Sequence, residues 1–277
     1  MTSNINDPIN QFEAERADRI AGYASDSDFQ NLSWKWATEA FRKMYMYNFQ
    51  SFGRPIIQFP ADIIAISELI WKLRPDVIVE TGIAHGGSII HNAGQLALLD
   101  LVDAQESDKQ INLSKPRRRV IAVDIDIRPH NRKAIEEHPF SNRIMMIEGS
   151  SVDHTVVQKV VDLISDAKVV FISLDSSHSH EHVLRELKAY APMTSQGSYC
   201  VVFDTAVEYL PKDFFPNRPW GPGNSPYSAI SSFLELCRTD CLKGMDGADL
   251  NFEVDHDITN KLVLTGAPGG FLYRKPM

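Results

Sequence analysis

Five short apolar runs recur along the chain, and each ends on an acid. Val77-Ile78-Val79 ends on Glu80 and Val120-Ile121-Ala122-Val123 on Asp124. Ile144-Met145-Met146-Ile147 ends on Glu148, Val169 to Leu174 on Asp175, and Tyr199-Cys200-Val201-Val202-Phe203 on Asp204. Continuous apolar runs of this length read as strands buried on both faces. Between them, helical patterns are expected over residues 88–99, 131–137, 152–164 and 181–190. Strands alternating with helices through mostly short connections predict an α/β fold with a doubly wound, mostly parallel sheet. Phe252 to Val254 and Lys261 to Thr265 read as closing strands, antiparallel to the rest. The polar stretch from Asp103 to Arg119 reads as a surface loop, with Arg117-Arg118-Arg119 as its solvated edge.

Upstream of the sheet the pattern changes twice. Residues 1–30 are polar and acidic and form an arm that gains order from packing on another surface. Residues 31–74 form a helical extension. Within it, Trp34 to Phe52 crowds aromatics into a short stretch, for packing on the main domain or between subunits, with a lid over a substrate pocket as the alternative. Phe59-Pro60-Ala61-Asp62 then opens a helix that buries Ile63, Ile64, Ile66, Leu69, Ile70 and Leu73. Residues 75–277 carry the catalytic domain.

The 277 residues suffice for one large domain with an extension, and 43% hydrophobic content is ordinary for a globular chain. A net charge of −8 argues against nucleic acid as the main partner. Cys200, Cys237 and Cys241 show neither ligand spacing nor a paired framework, which suits a reducing cytoplasm. No apolar run reaches the roughly 20 residues of a membrane span, and the first ten residues lack a basic-then-apolar leader.

Ligands of doubly wound sheets sit outside the carboxyl ends of the strands. Five acids at those ends point to a shared polar site. Gly82, Gly86 and Gly87 follow the first strand, where they permit a sharp turn and close approach of a ligand, and Ser88 is a candidate helix cap. The loop Gly82 to Gly87 matches neither the dinucleotide fingerprint nor a phosphate loop. An acid before it suits a cationic ligand without phosphates, such as S-adenosylmethionine. Asp124 is then placed to accept from the ribose hydroxyls, with Ser150 and Ser151 beside the adenine.

Asp175 and Asp204 end neighbouring strands. They can hold a divalent cation, most often magnesium, with Glu208 one turn further on as third ligand; alternatively they orient loops or bind the methionine ammonium. His178 is placed to act as a base, or to tether its loop. His180 and His182 fall on the following helix start. Asp175, His178, His180 and His182 also leave open an iron-dependent hydroxylase, and a dinucleotide oxidoreductase or an inactive cofactor-binding scaffold are further readings. The segment Trp220 to Pro226 reads as an active-site loop, with Lys212, Arg218 and Trp220 as substrate contacts.

The motifs Glu80 to Ser88, Val123 to Arg128, Leu174 to His182, Gly197 to Thr205 and Arg218 to Asn224 resemble, in order and spacing, the cephalosporin hydroxylase family. The resemblance covers roughly residues 34 to 274. It implies a class I methyltransferase fold similar to rhamnosyl and other sugar O-methyltransferases, with S-adenosylmethionine, magnesium at the tips of the fourth and fifth strands, and often a multimer. Residue reading and resemblance together set the cofactor site at Glu80, Gly82, His85, Gly86, Gly87, Ser88, Asp124, Asp126, Arg128, Gly149, Ser150, Ser151 and Asp175. The metal falls to Asp175, Asp204 and Glu208, and catalysis to His178 and Asp175. The expected activity is magnesium-assisted O-methylation of a sugar or glycosylated small molecule by a cytoplasmic homo-oligomer. One departure stands out: some members carry an acidic pair where this chain has Phe203-Asp204.

Overall fold

A computed structural model describes residues 7–108 and 110–276. The chain begins with two helices, α1 (Pro8–Ser25) and α2 (Ser27–Arg42), each capped by an aspartate side chain, Asp7 and Asp26. A 3-10 turn and a hairpin of β1 (Phe49–Ser51) and β2 (Arg54–Ile56) follow, then α3 (Pro60–Leu73). The parallel core runs through β3 (Val77–Thr81), α4 (Gly87–Ser107), β4 (Arg119–Asp124), α5 (Pro129–Glu136), β5 (Ile144–Glu148) and α6 (His154–Ile164). It continues through β6 (Val170–Leu174), α7 (His180–Tyr190) and β7 (Tyr199–Val202). The chain closes with α8 (Pro226–Thr239), β8 (Phe252–Val254), α9 (His256–Leu262) and β9 (Phe271–Arg274).

The main sheet has the strand order β5-β4-β3-β6-β7-β9-β8. Neighbours from β5 to β7 pair in parallel, and β9 pairs antiparallel with both β7 and β8. This is the doubly wound sheet expected. All of β3 is buried, as a continuous apolar run requires when helices cover both faces. Side chains alternate between the two layers: Ile78 and Val120 face α3 and α4, while Val79 and Ile121 face α6 and α7. Strand order reverses between β3 and β6, so the ligand crevice opens where Gly82, Asp124, Asp175 and Asp204 leave the sheet.

Several elements differ from expectation. Most of the polar arm is helix: α1 and α2 run from Pro8 to Arg42, while residues 1–6 lie outside the described part. The aromatic stretch is not one helix, because Met44 enters the left-handed region and the hairpin follows. The polar loop is shortened from its start, since α4 extends to Ser107. The expected strand at Lys261–Thr265 is instead the end of α9, and the closing strand is Phe271–Arg274. Asp255 caps α9 by accepting from Ile258 N, and Ile258 and Leu262 then bury one face at helical spacing.

Arg118 does not belong to a solvated edge. It is only 2% exposed and pairs with Asp100 at 2.6 Å and Asp103 at 2.7 Å. Arg143, also buried, takes the other oxygen of Asp100 at 2.5 Å. Removing Arg118 leaves the largely buried Asp100 with one cation, Arg143, where it had two, and leaves Asp103 with Arg74 and Arg117. Arg118→Ala is therefore expected to lower stability by about 3 kcal/mol, the lower end for a broken buried pair, read as a shift in the urea midpoint. A loss under about 1 kcal/mol, the scale of an exposed pair, would show that burial adds nothing here.

Candidate functional site

The loop after β3 is the most tightly fastened part of the crevice. Gly82 N donates to Val123 O at 2.8 Å, and Asp175 N donates to Thr81 O at 2.9 Å, so three strand tips are tied level. Asp124 Oδ2 accepts from Ile83 N at 2.7 Å and Ala84 N at 3.3 Å, while its Oδ1 accepts from Asp126 N at 3.1 Å. From the other side, Arg54 donates through Nε and Nη2 to the His85 carbonyl at 2.9 and 2.6 Å, and Asn131 Nδ2 donates to Ala84 O at 2.8 Å. Arg54 and Asn131 were not singled out from sequence; nothing in their local pattern marks them.

The glycines serve the protein's own packing. Gly82 has φ +92°, and a Cβ there would lie 2.0 Å from Asp175 O. A Cβ on Gly87 would lie 2.1 Å from Pro55 O, because β2 crosses directly over the start of α4. A Cβ on Gly86 would strike Ile135. In this structure each of these glycines makes a close approach to protein atoms. Over the loop remains a cleft of about 40 Å³ between Pro55–Gln58, Gly82–His85, Gly87, Ser88 and Asp175.

Ser88 does not cap α4. Its hydroxyl donates to Glu80 Oε1, and Asn92 Nδ2 donates to Glu80 Oε2 at 2.8 Å. Glu80 thereby fastens β3 to α4. Burial pushes its carboxyl up to about 7, against the pull of the Ser88 and Asn92 hydrogen bonds. The folded value lies above the ordinary 4.5, so the folded chain binds the extra proton between the two. Its stability contribution is complete below about 4.5 and is lost as pH rises through about 7. Glu80→Gln should accordingly gain stability relative to the parent between pH 5 and pH 8, measured by urea unfolding. A constant difference across that range would contradict a burial cost.

Asp126 and Arg128 are exposed beyond β4. Gly149 N donates to Asp124 O at 2.8 Å, and Ser150 is half-buried at the same corner. Ser151 is buried and turned to His182 Nε2 at 3.1 Å. Glu148, the fifth strand-tip acid, pairs outward with Arg132 at 2.6 Å and does not share the site.

The other side of Asp175 opens into a pocket of about 330 Å³. Asp175, His178, Asp204 and Trp220 line it, as do Arg218, Phe203 and the N-terminal aromatics Phe41 and Tyr47. His178 Nε2 lies 3.1 Å from Asp204 Oδ2. The Trp220 ring meets the imidazole edge-on at 4.8 Å. Asp175 is raised well above the usual carboxylate range by burial, then by the neighbouring Asp204 and Glu80 charges, and a hydrogen bond from Gln58 offsets this in part. Asp62, from the first turn of α3, reaches the same pocket; it accepts from Gly266 N at 2.8 Å and from Thr265. Burial pushes its carboxyl up to about 7. The sequence reading treated Asp62 only as a helix opener.

Glu208 has another occupation. Both its oxygens accept from Gly223 N, at 3.1 and 3.0 Å, and one also accepts from Ser225 Oγ. It anchors the loop that carries Trp220, in place of the metal role expected of it. His180 does similar work, with its N–H on Asn224 Oδ1 at 2.9 Å and Nδ1 2.8 Å from Ser228 Oγ. His182 faces Ser151 and Glu186. With His180 and His182 so engaged, the two-histidine, one-carboxylate set of an iron hydroxylase does not form. Among the described residues no three His, Cys, Asp or Glu side chains gather as a metal site.

The aromatic crowding upstream is largely satisfied within the chain. Trp34 packs on Tyr209 at 4.9 Å, and Phe41 meets Phe59 edge-on at 5.3 Å. Phe41, Met44 and Tyr47 line the pocket wall.

Known proteins of this shape give the site its context. A rhamnosyl O-methyltransferase of Mycobacterium tuberculosis (strain ATCC 25618 / H37Rv) is 28% identical over 218 residues, 77% of this chain and 73% of that protein. One from Mycobacterium leprae (strain TN) is 25% identical over 245 residues, 86% of this chain and 90% of its own. Among solved structures, CmcI with Mg and SAM superposes with a TM-score of 0.50 at 17% identity, covering 83% of this chain and 78% of that one; at such identity the likeness is one of fold. The family model for rhamnosyl O-methyltransferase/CmcI matches residues 43–275, and the chain belongs to that family.

Proposed function

We propose that this protein transfers a methyl group from S-adenosylmethionine to a hydroxyl of a sugar or glycosylated small molecule, with magnesium as a helper ion. The observation that carries the reading is the meeting of Asp175, His178 and Asp204 on one pocket wall at the switch point of a sheet of this family. The names of the mycobacterial relatives support the reaction class.

The donor set suits a hard cation. Among the described residues, three carboxylates, Asp62, Asp175 and Asp204, line one pocket together with a single guanidinium, Arg218. Magnesium commonly takes one or two protein carboxylates and fills its remaining positions with water and substrate oxygens, which matches Asp175 and Asp204 without Glu208. Bound there, it would lower the pKa of an acceptor hydroxyl. His178 takes the hydroxyl proton, held in place by Asp204 and Trp220. The cofactor side falls to Glu80, Gly82, His85, Gly86, Gly87, Ser88, Asp124, Asp126, Arg128, Gly149, Ser150 and Ser151. The cleft over the glycine loop requires the Pro55–Gln58 segment to move aside as the cofactor enters.

The test is a panel of sugar and glycoside acceptors with labelled S-adenosylmethionine, with and without magnesium. Calorimetry should show cofactor binding that weakens in Asp124→Ala, since Asp124 holds Ile83 and Ala84. Binding of a nicotinamide dinucleotide in its place would sink the reading.

A cytoplasmic homo-oligomer is part of the same proposal. No helix among the described residues is long and apolar enough to cross a membrane. Ile64 and Trp71 on α3 and Leu98 and Leu101 on α4 remain exposed, apolar surface that a second copy would cover. Light scattering giving a monomer mass would reject the assembly.

A further inference from the structure

Asp62 is a buried acid that the reaction above leaves without a task. It lies in the first turn of α3 and is only 1% exposed, and a buried carboxylate is costly unless it is hydrogen-bonded. Both its oxygens engage one segment: Oδ1 accepts from Thr265 Oγ1, and Oδ2 accepts from Gly266 N at 2.8 Å. Thr265 Oγ1 in turn accepts from Ala267 N at 2.9 Å. Asp62 thereby sets the shape of residues 265–268, in the link between α9 and β9.

That link reaches the reacting wall. Gly266 O accepts from Ala206 N at 3.1 Å, and Pro268 O accepts from Thr205 Oγ1 at 2.8 Å. The two bonds grip the turn directly after Asp204. Asp204 itself holds a left-handed backbone, φ 54°, and Val207 N closes the turn onto its carbonyl at 3.1 Å. Such backbone is unfavourable for a residue with a side chain and persists where the surroundings enforce it. Before Asp204, Phe203 N donates to Leu174 O at 2.9 Å, so the sheet fixes the strand side. The turn side is held by the link, and the link by Asp62. The Asp204 carboxylate so placed opens to the pocket and meets His178 Nε2 at 3.1 Å.

We propose that Asp62 is a positioning residue for Asp204. Through Thr265, Gly266 and Pro268 it holds the turn that aims the Asp204 carboxylate at His178 and into the pocket where the cation would bind. Asp62 acts through the hydrogen bonds it accepts, not through its charge and not as a ligand. The cation part of this inference rests on the methyltransferase reading above; the contact between Asp204 and His178 does not.

The experiment uses the full chain and three variants. Asp62→Ala removes both acceptors and strands the Gly266 N–H and the Thr265 hydroxyl. Asp62→Asn keeps an oxygen for Gly266 N and turns its amide group to Thr265 Oγ1. Thr265→Val removes one bond of the link. With isotope-labelled histidine and no ion added, the His178 ring resonances, assigned with His178→Gln, should shift at constant pH in Asp62→Ala and Thr265→Val. They should return towards the parent in Asp62→Asn. Manganese, followed by electron paramagnetic resonance in place of magnesium, should bind Asp62→Ala roughly tenfold more weakly, the lower end for losing a partner behind a metal ligand. Asp62→Asn should bind it nearly as tightly as the parent. Affinity for S-adenosylmethionine, read by calorimetry, should stay near the parent value throughout, which a general loosening of the fold would not allow. If the resonances stay in place in Asp62→Ala and Thr265→Val while only the urea midpoint falls, Asp62 merely anchors α3 and the proposal is overturned. Damage in Asp62→Asn equal to that in Asp62→Ala overturns it as well, because charge then carries the effect. Should Asp62→Ala fail to fold, an unmoved spectrum in Thr265→Val overturns the proposal by itself. A parent protein that binds no manganese sinks the cation reading, and the metal-free resonances still decide Asp62.

Discussion

His178→Ala is expected to slow methyl transfer by roughly a hundredfold or more, the usual scale for a lost general base. His178 Nε2 lies 3.1 Å from Asp204 Oδ2; a carboxylate oxygen only accepts, so the tautomer that suits this contact carries its proton on Nε2 and leaves the other ring nitrogen a lone pair to accept a proton. The edge-on Trp220 ring limits rotation of the imidazole. Asp204→Ala should cost more than His178→Ala, because it removes the imidazole's partner and one of the two carboxylates offered to the cation. Affinity for S-adenosylmethionine should stay near the parent value in both variants, since both residues line the acceptor side. Single-turnover rates with labelled cofactor, paired with calorimetry, separate the two effects. Full turnover in His178→Ala would leave a site that works by proximity and orientation alone, and full activity in excess chelator would remove the cation.

The neighbourhood of Asp204 also shows what a sequence can and cannot reveal. The pairing of Asp175 with Asp204 was legible because continuous apolar runs identify parallel strands, and adjacent parallel strands bring their ends together. Glu208 misled. Its spacing from Asp204 would suit one helical turn, but Asp204 sits at φ 54°, which turns the chain before the 3-10 turn Thr205–Tyr209 begins. The carboxylate then faces Gly223 and Ser225. A left-handed aspartate leaves little trace in sequence, since aspartate adopts that conformation at modest cost. The first helix was hidden for another reason. No residue of α1 is buried, so its sequence lacks the apolar stripe by which a core-facing helix is read. Arg118 shows the same limit: three successive arginines look solvated until Asp100 and Asp103, on the far end of α4, are found facing the second of them.

Gly82→Ala is expected to damage both the fold and the reaction more than any other single methyl addition in the loop. Two costs combine. The backbone at φ +92° lies where a side chain is strained, worth about 1–3 kcal/mol. The added Cβ would also sit 2.0 Å from Asp175 O and 2.6 Å from Asp175 C, a contact no flexible side chain can relieve. Overpacking of this kind typically costs a further 1–3 kcal/mol, so stability should fall by roughly 2–6 kcal/mol. The backbone that must yield is that of Asp175, three residues before His178. Displacement there by about 1 Å is expected to lower kcat by about a hundredfold in whatever fraction still folds. Gly53→Ala separates the two costs. Gly53 has a similar φ of +82° at the β1–β2 turn, with nothing within 4 Å of its would-be Cβ. It should lose only the conformational part, and its kcat should match the parent. Circular dichroism melts and single-turnover rates on the two variants decide the matter. If Gly82→Ala melts and reacts like Gly53→Ala, the close approach to Asp175 does not hold the catalytic wall in place.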